Sequence, residues 1–380
     1  MPLYLTEAEV GELLSPADAI TAVEACFRRL AAGEIDNQPR HRHRLEGGAF
    51  AVMSAVDREL GIAGVKSYAW VAQGTPFVVC LFDTAKGELA AVIEADKLGQ
   101  LRTGAASGVA AKYLARDGAR TLGVLGCGWQ AESQVQCIRE AVPTIEEVVA
   151  YCRTEDRLEE FCRRIGAEAG ETHRDAGGQD VVVTATTSRD PVLRGEWLAE
   201  GALVCAIGAN DRRSRELDNV VLERAAFVCC DSLQQTKLES GDLIEPVEQG
   251  ILDWLEVHEL QEVVAGEVQG RQSDEDVVLF KSNGLAAWDV AIGVVALERA
   301  REQGVGRELL VLGLCLLDDV VPEGAHDFRS VEQPLPLGLR RAVLDVRVVQ
   351  DVGERAAALV LTDHVLRDPV FALRTGEEVA

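Results

Sequence analysis

Two periodicities divide the chain. Between residues 49 and 94, four short runs (49–56, 62–71, 77–82 and 89–94) carry apolar residues at strand spacing, bounded by Gly47-Gly48 and by breaks at 58–61, 74–76 and 83–87. Runs of this length between turn-forming residues predict strands, here gathered in an antiparallel-rich domain. Before them, residues 3–12 read as a short strand and a turn, and Ser15-Pro16 opens a helix as N-cap and first residue. Ile20, Val23, Phe27 and Leu30 form its apolar stripe and Gly33 ends it. A second helix is predicted over 97–115 from Leu98, Leu101, Ala105, Val109 and Tyr113. Its Gly104 and Gly108 lower helix propensity by roughly 1 kcal/mol each relative to alanine, which predicts close backbone packing there. After residue 120 the pattern changes. Apolar runs at 121–125, 148–152, 181–185, 203–207, 227–230 and 277–280 are mostly separated by helix-length segments, and a last helix spans 285–301. That alternation predicts a doubly wound parallel sheet. Residues 341–349 and 356–365 read as further strands, and no segment repeats.

The first of the buried runs leads into Gly126-Cys127-Gly128-Trp129-Gln130-Ala131. Gly126 permits a tight turn, Gly128 lets the backbone approach a pyrophosphate, and Ala131 fills the small third slot of a dinucleotide fingerprint. The helix N-terminus that follows, starting at Trp129 and Gln130, faces the phosphates. Glycines at this spacing also occur in ordinary turns; the strand and helix alternation after them makes the Rossmann-type reading. The second strand of that unit ends in Arg153-Thr154, with no acid at its tip to bond a ribose 2′-hydroxyl. Arg153 and Thr154 suit the 2′-phosphate of NADPH instead, with NADH the less favoured cofactor; a plain surface arginine is the other reading. Further along the same sheet edge come Thr186-Thr187-Ser188, Gly208-Ala209-Asn210 and Lys281-Ser282-Asn283-Gly284.

Composition narrows the partners. Hydrophobic residues make up 47% of the 380, enough for large cores, while the net charge of -25 argues against nucleic acid and anionic membranes. An anionic ligand therefore needs a local basic cluster. One lies at Gln38-Pro39-Arg40-His41-Arg42-His43-Arg44. It reads either as a solvated charged strand or as an arginine placed to grip a carboxylate. Lys66 sits inside a predicted strand, where lysine is depleted; it either faces water or is buried with a lowered pKa and acts in proton transfer. Arg102, just before the nucleotide unit, places a guanidinium near the nicotinamide end of a bound cofactor. The ten cysteines form no C-x-x-C pair and predict buried free thiols in a reducing cytoplasm, with neither a zinc site nor any other metal centre. Residues 1–10 show no basic-then-apolar leader, and no apolar run is long enough to span a bilayer.

Taken together, Tyr4-Leu5-Thr6, Gln38-Pro39-Arg40, Lys66, Leu101-Arg102-Thr103-Gly104-Ala105-Ala106, the 126–131 turn, Gly208-Ala209-Asn210, Arg215-Glu216-Leu217-Asp218 and 280–286 resemble the ornithine cyclodeaminase / mu-crystallin family, over about residues 3–306. The resemblance implies an α/β chain with a Rossmann-type domain at 119–284. It implies a strand-rich α+β domain, 1–118 with 285–340, that binds substrate and forms a homodimer; the extension at 341–380 has no counterpart in that likeness. It implies NAD(P)H-dependent oxidoreduction at a C–N bond. The substrate would be a cyclic imine carboxylate of the ketimine or 1-pyrroline-2-carboxylate type, or a 2-oxo acid and amino acid pair. Arg40 and Arg102 would hold the carboxylate and Lys66 would stand beside the reacting bond. Thr103, Gly126, Gly128, Trp129, Gln130, Ala131, Arg153, Thr154, Thr186, Thr187, Ser188, Gly208 and Asn283 would line the cofactor. The alternatives are a cyclodeaminase-type lyase and a non-catalytic, crystallin-like NADP-binding protein. Asn210 would be catalytic by position, yet the cyclodeaminases and some alanine dehydrogenases of the family have an aspartate there. Arg212 replaces a usual proline, so Asp211 is a possible substitute acid.

Overall fold

The computed structural model describes residues 1–71, 74, 76–310, 343–349 and 358–364. The strand-rich first part opens with β1 (Leu3–Leu5), α1 (Glu7–Leu13) and α2 (Pro16–Ala31). Where a turn was expected, α1 forms because Thr6 and Glu9 make a reciprocal capping box. Ser15 caps α2 in the same way, with Pro16 at its first position. Then follow β2 (Ile35–Leu45), β3 (Gly48–Asp57), β4 (Ile62–Trp70), β5 (Phe77–Asp83) and β6 (Glu88–Glu94), paired antiparallel in sequence order. The sheet is mixed, because β1 adds parallel to β6.

Period-two alternation gives this sheet two faces. Met53 pairs with Lys66 and Lys66 with Val79, so these three share the inner face. The outer face carries Phe50, Val56 and Phe82, all exposed, with Val52, Val65 and Val78 half-buried among them. A register shift at Pro39-Arg40 interrupts the β2–β3 ladder. The proline, which cannot donate to a ladder, falls at that irregularity.

The helix α3 (Asp96–Leu114) leads into the second sheet: β7 (Thr121–Leu125), α4 (Trp129–Ala141), β8 (Glu147–Tyr151), α5 (Glu155–Ile165), β9 (Glu168–Ala169), α6 (His173–Gly177), β10 (Val181–Thr184), β11 (Leu203–Ala206), α7 (Asn219–Arg224), β12 (Ala225–Cys230), α8 (Leu233–Glu239), α9 (Gly241–Glu248), β13 (Val257–Glu259), α10 (Leu260–Val264) and β14 (Val277–Lys281). All eight strands run parallel, in the order β13-β12-β14-β11-β10-β7-β8-β9. The winding reverses between β7 and β10, and the crevice beyond the C-terminal ends of those strands is where such sheets take ligands. As its glycines foretold, α3 crosses α4 closely. A Cβ at Gly104 would stand 2.3 Å from the Ser133 carbonyl, and one at Gly108 2.9 Å from that of Cys137.

The last helix, α11 (Ala286–Gln303), returns to the first sheet and packs on β3, β4 and β5. Gly64 makes room for it, since a Cβ there would lie 2.5 Å from Val290. The strand β15 (Arg307–Glu308) closes that sheet beside β1. These elements form one compact unit, Met1–Gly313. In the separate unit Leu314–Ala380, β16 (Val343–Val349) and β17 (Ala358–His364) pair antiparallel; the rest of the expected extension lies outside the described residues. No helix among the described residues is long and apolar enough to cross a membrane.

Candidate active site

The inner face of the first sheet and the edge of the second meet around Lys66. Strand alternation turns this lysine inward from β4, and its side chain is only 3% exposed. Its Nζ donates to Asp289 Oδ1 on α11 at 2.8 Å. Arg102, one turn into α3 from Gly99, donates from Nε to the same oxygen at 3.2 Å. One carboxylate oxygen thus holds both cations. Burial drives the Lys66 pKa down to about 8; the Asp289 carboxylate opposes that shift, while Arg102 and Arg40 reinforce it. Among the described residues the two Nη groups of Arg102 have no protein acceptor, and its guanidinium lies over the Trp288 ring at 5.7 Å.

Arg40 also turns inward, from the irregular point of β2, but its fork is already engaged. One Nη pairs with Glu239 of α8, and the other donates to the Asn283 carbonyl at 2.8 Å. Only its buried Nε lacks a partner. Arg42 pairs with the other Glu239 oxygen and donates to the Asn210 carbonyl at 2.9 Å. The basic island is therefore neither a plain solvated strand nor a cluster of free forks. Two of its arginines tie β2 to α8 and to the edge of the second sheet.

That edge is braced by buried acids. Asp231 accepts from the backbone N–H groups of Asn283 and Gly284, both at 2.6 Å, and from the Ser282 hydroxyl. The turn after β14 is thereby fixed against Arg102: a Cβ at Gly284, whose φ is +89°, would fall 2.7 Å from Arg102 Nη1. Glu216 accepts from Thr184, from the backbone and hydroxyl of Thr186, and from the N–H groups of Gly208 and Ala209. Burial pushes its pKa up, and the nearby Asp242 adds to that. Lys281 meets Asp242 at 3.0 Å with both side chains fully buried. Glu216 so joins the ends of β10 and β11 into one rigid edge.

The expected cofactor residues lie along the crevice. Gly126 has φ +114°, and a Cβ would stand 2.4 Å from the Ala185 carbonyl, so only glycine fits. Gly128 caps α4 and faces open space. Trp129 is half-exposed, Ala131 is buried, and Gln130 Oε1 is buried without a donor. Arg153 and Thr154 stand exposed after β8. Their neighbour His173, whose ring lies 4.5 Å from that of Tyr151, has its pKa lowered by burial first and then by the charges of Arg153 and Arg194. Thr187 is exposed, while Ser188 bonds the Asp190 carbonyl. Thr103 turns its hydroxyl back to the Gly99 carbonyl, and Asn283 leaves its Nδ2 buried and unpartnered. Asn210 is exposed, next to Asp211, whose carboxylate is engaged by Arg213 at 3.0 Å. That pairing holds the Asp211 pKa down.

Sequence reasoning named Lys66, Arg40 and Arg102 but not Asp289, Glu239 and Asp231 as their partners. Asp289 alone carried a signal: an acid one turn into a helix that is otherwise apolar up to Leu297.

A glycine cradle at the switch point and a buried amine among guanidinium groups fit a dinucleotide-dependent oxidoreductase. The chain belongs to the ornithine cyclodeaminase/mu-crystallin family, whose model matches residues 2–304. It is 38% identical to an alanine dehydrogenase of Archaeoglobus fulgidus over 81% of this chain and 98% of that one. The structure of Thermococcus litoralis Δ1-pyrroline-2-carboxylate reductase in complex with NADH and L-proline superposes with a TM-score of 0.77. It is 31% identical and covers 81% of this chain and 100% of that one. An archaeal alanine dehydrogenase dimer with bound NAD gives a TM-score of 0.77 at 36% identity, over 81% of this chain and 98% of that one.

Proposed function

We propose that the protein is an NAD(P)H-dependent reductase of an α-imino carboxylate, working in reverse as an amino-acid dehydrogenase. The observation that carries this reading is the pair of cations on Asp289 Oδ1: an amine able to exchange a proton near neutral pH, beside a guanidinium with free Nη groups. The residues around the crevice fit a dinucleotide, since Gly128 leaves room at the helix start and Gln130 keeps an unmet acceptor. When bound, the nicotinamide supplies the hydride. Arg102 grips the substrate carboxylate through its free Nη groups. Arg40 and Arg42, held by Glu239, keep β2 and the 210 loop in place. Lys66 holds or exchanges the proton on the substrate nitrogen. This division of labour corresponds to substrate binding by 1–118 with the helix after 285, and cofactor binding by 119–284.

Cyclodeamination needs a group that passes a proton while a second amine attacks. Asn210 is an amide that does not titrate, and the Asp211 carboxylate is turned to Arg213. Both features support the reductase reading. The test is a screen of NADPH and NADH oxidation with cyclic imine carboxylates and with 2-oxo acids plus ammonia, run beside ornithine with catalytic cofactor. Proline and ammonia from ornithine without net cofactor change would make the protein a lyase. Cofactor binding with no turnover on any of them would make it a binding protein.

NADPH is the preferred cofactor in this reading, by tenfold to a hundredfold in affinity. One added charge-assisted phosphate contact is worth about 1.5–3 kcal/mol. Arg153 and Arg194, whose charges both reach His173, provide the positive field at the tip of β8. Titration of both cofactors at moderate salt checks this, and Arg153→Ala is expected to bring the two affinities together. Tighter NADH in the unaltered protein overturns the preference.

The active form is a homodimer built on the outer face of the first sheet, whose exposed Phe50, Val56 and Phe82 leave an apolar surface to cover. Light scattering at micromolar concentration is expected to give twice the chain mass, and Val65→Glu, at the centre of that face, to give the monomer. A monomeric unaltered protein contradicts this assembly.

A further inference from the structure

Lys66 and Arg102 come from different elements, β4 and α3, and nothing in their own chain segments brings them together. Asp289, on α11, does. Both cations bond its Oδ1, so they cannot stand farther apart than those two bond lengths allow, while Oδ2 is buried and has no donor. Gly99 of α3 also closes space around the amine: a Cβ there would fall 2.9 Å from Lys66 Nζ. The ammonium is therefore confined between α11 and α3.

We infer that Asp289 is a positioning residue that sets the spacing between Lys66 and Arg102, and thereby selects ligands that carry nitrogen and carboxylate on the same carbon. This rests on the function proposed above. With both cations held on one oxygen, a ligand with one more carbon between its two polar groups is expected to meet Arg102 and Lys66 less well. The same contact governs charge. The charged groups that face Lys66 are Asp289 from α11, Arg102 from α3 and Arg40 from β2. Asp289 alone among these favours the protonated amine, so its loss leaves Lys66 beside Arg102 and Arg40 with no counter-charge of its own.

The experiment compares oxidation of α-amino acids with that of their β-isomers: proline against pyrrolidine-3-carboxylate, and alanine against β-alanine. Asp289→Asn is expected to lower the α-over-β ratio of kcat/KM at least tenfold. It is also expected to move the Lys66 limb of the pH profile by a unit or more toward acid. Gly99→Ala adds only a methyl on a helix and displaces the amine without altering charge. It is expected to lower the same ratio tenfold and to leave the limb where it was. A folded Asp289→Asn variant with an unchanged ratio, wherever its limb lies, or a folded Gly99→Ala variant with an unchanged ratio, overturns the inference. A uniform loss on all ligands with an unmoved limb marks Asp289 as merely structural and overturns it too. If the unaltered protein oxidises none of these amino acids, the proposed function fails. The anchor is then read by NMR of ¹³C-labelled lysine: a Lys66 midpoint near 8 that falls in Asp289→Asn supports it, and an unmoved midpoint refutes it.

Discussion

Lys66→Met will lose about 10²–10⁴-fold in kcat, the usual worth of a positioned proton donor or acceptor, while cofactor affinity stays within a factor of two. Methionine keeps the unbranched apolar stem of lysine, one atom shorter, but carries no exchangeable proton. Asp289 keeps Arg102 as its counter-charge, so the variant is not left with an unpaired buried carboxylate. The pH profile sharpens the expectation. With a pKa of about 8, Lys66 is mostly protonated at neutral pH. Imine reduction, which takes up a proton, should fall as pH rises through about 8. Amino-acid oxidation, which needs the neutral amine, should rise through the same point. Both limbs are read from kcat/KM, which reports the free enzyme, and both should vanish in Lys66→Met. Stability follows the same group. Its folded pKa lies below the ordinary value of 10.5, so the unfolded chain binds more protons between about 8 and 10.5. Lys66 therefore destabilises the fold below that window, and the penalty is relieved as pH climbs through it. Unfolding midpoints of the methionine variant should lack that rise. A variant that keeps normal turnover with an unchanged limb would remove Lys66 from the chemistry.

How much of this was legible in the sequence depends on the range of the signal. The parallel sheet and the glycine turn were readable because each strand, and the φ of +114° at Gly126, answers to residues next to it in the chain. The close α3–α4 crossing was readable because Gly104 and Gly108 have no other use on a helix face. The capping box of α1, Thr6 with Glu9, was present as a short signal and was passed over for a turn. The parallel pairing of β1 with β6 had no local signal, because it joins strands separated by more than eighty residues. The same limit applies to the site. Lys66 showed itself as a lysine where a strand interior disfavours one. Its partner Asp289 lies 223 residues away, and Glu239 lies 199 from Arg40. Whether an arginine fork is free or engaged is decided by such distant partners. For this reason the two arginines, alike in the sequence, differ in the structure.

That difference yields the second large effect. Arg102→Ala should lower kcat/KM by about 10²–10⁴-fold, since it removes two charge-assisted hydrogen bonds to the carboxylate at about 1.5–3 kcal/mol each. Arg102→Lys should recover little of this, because an ammonium cannot reproduce the planar fork. The fold should tolerate either change, for Lys66 remains on Asp289 Oδ1 to balance the buried charge. Arg40→Lys should behave differently. Its Nη groups serve Glu239 and the Asn283 carbonyl, so the loss should appear in thermal stability and in the order of the β2–α8 contact, with a smaller effect on substrate KM. The pH profile separates the roles again. Arg102 depresses the Lys66 pKa, so Arg102→Ala should move the limb toward higher pH, opposite to the shift expected of Asp289→Asn. Initial rates over a pH series with an α-imino carboxylate and NADPH, for Arg102→Ala, Arg102→Lys and Arg40→Lys together, test all of this. If Arg40→Lys suffers the greater loss in kcat/KM and Arg102→Ala leaves the limb unmoved, then Arg40 is the carboxylate clamp. The Glu239 pair would in that case have to open when substrate binds.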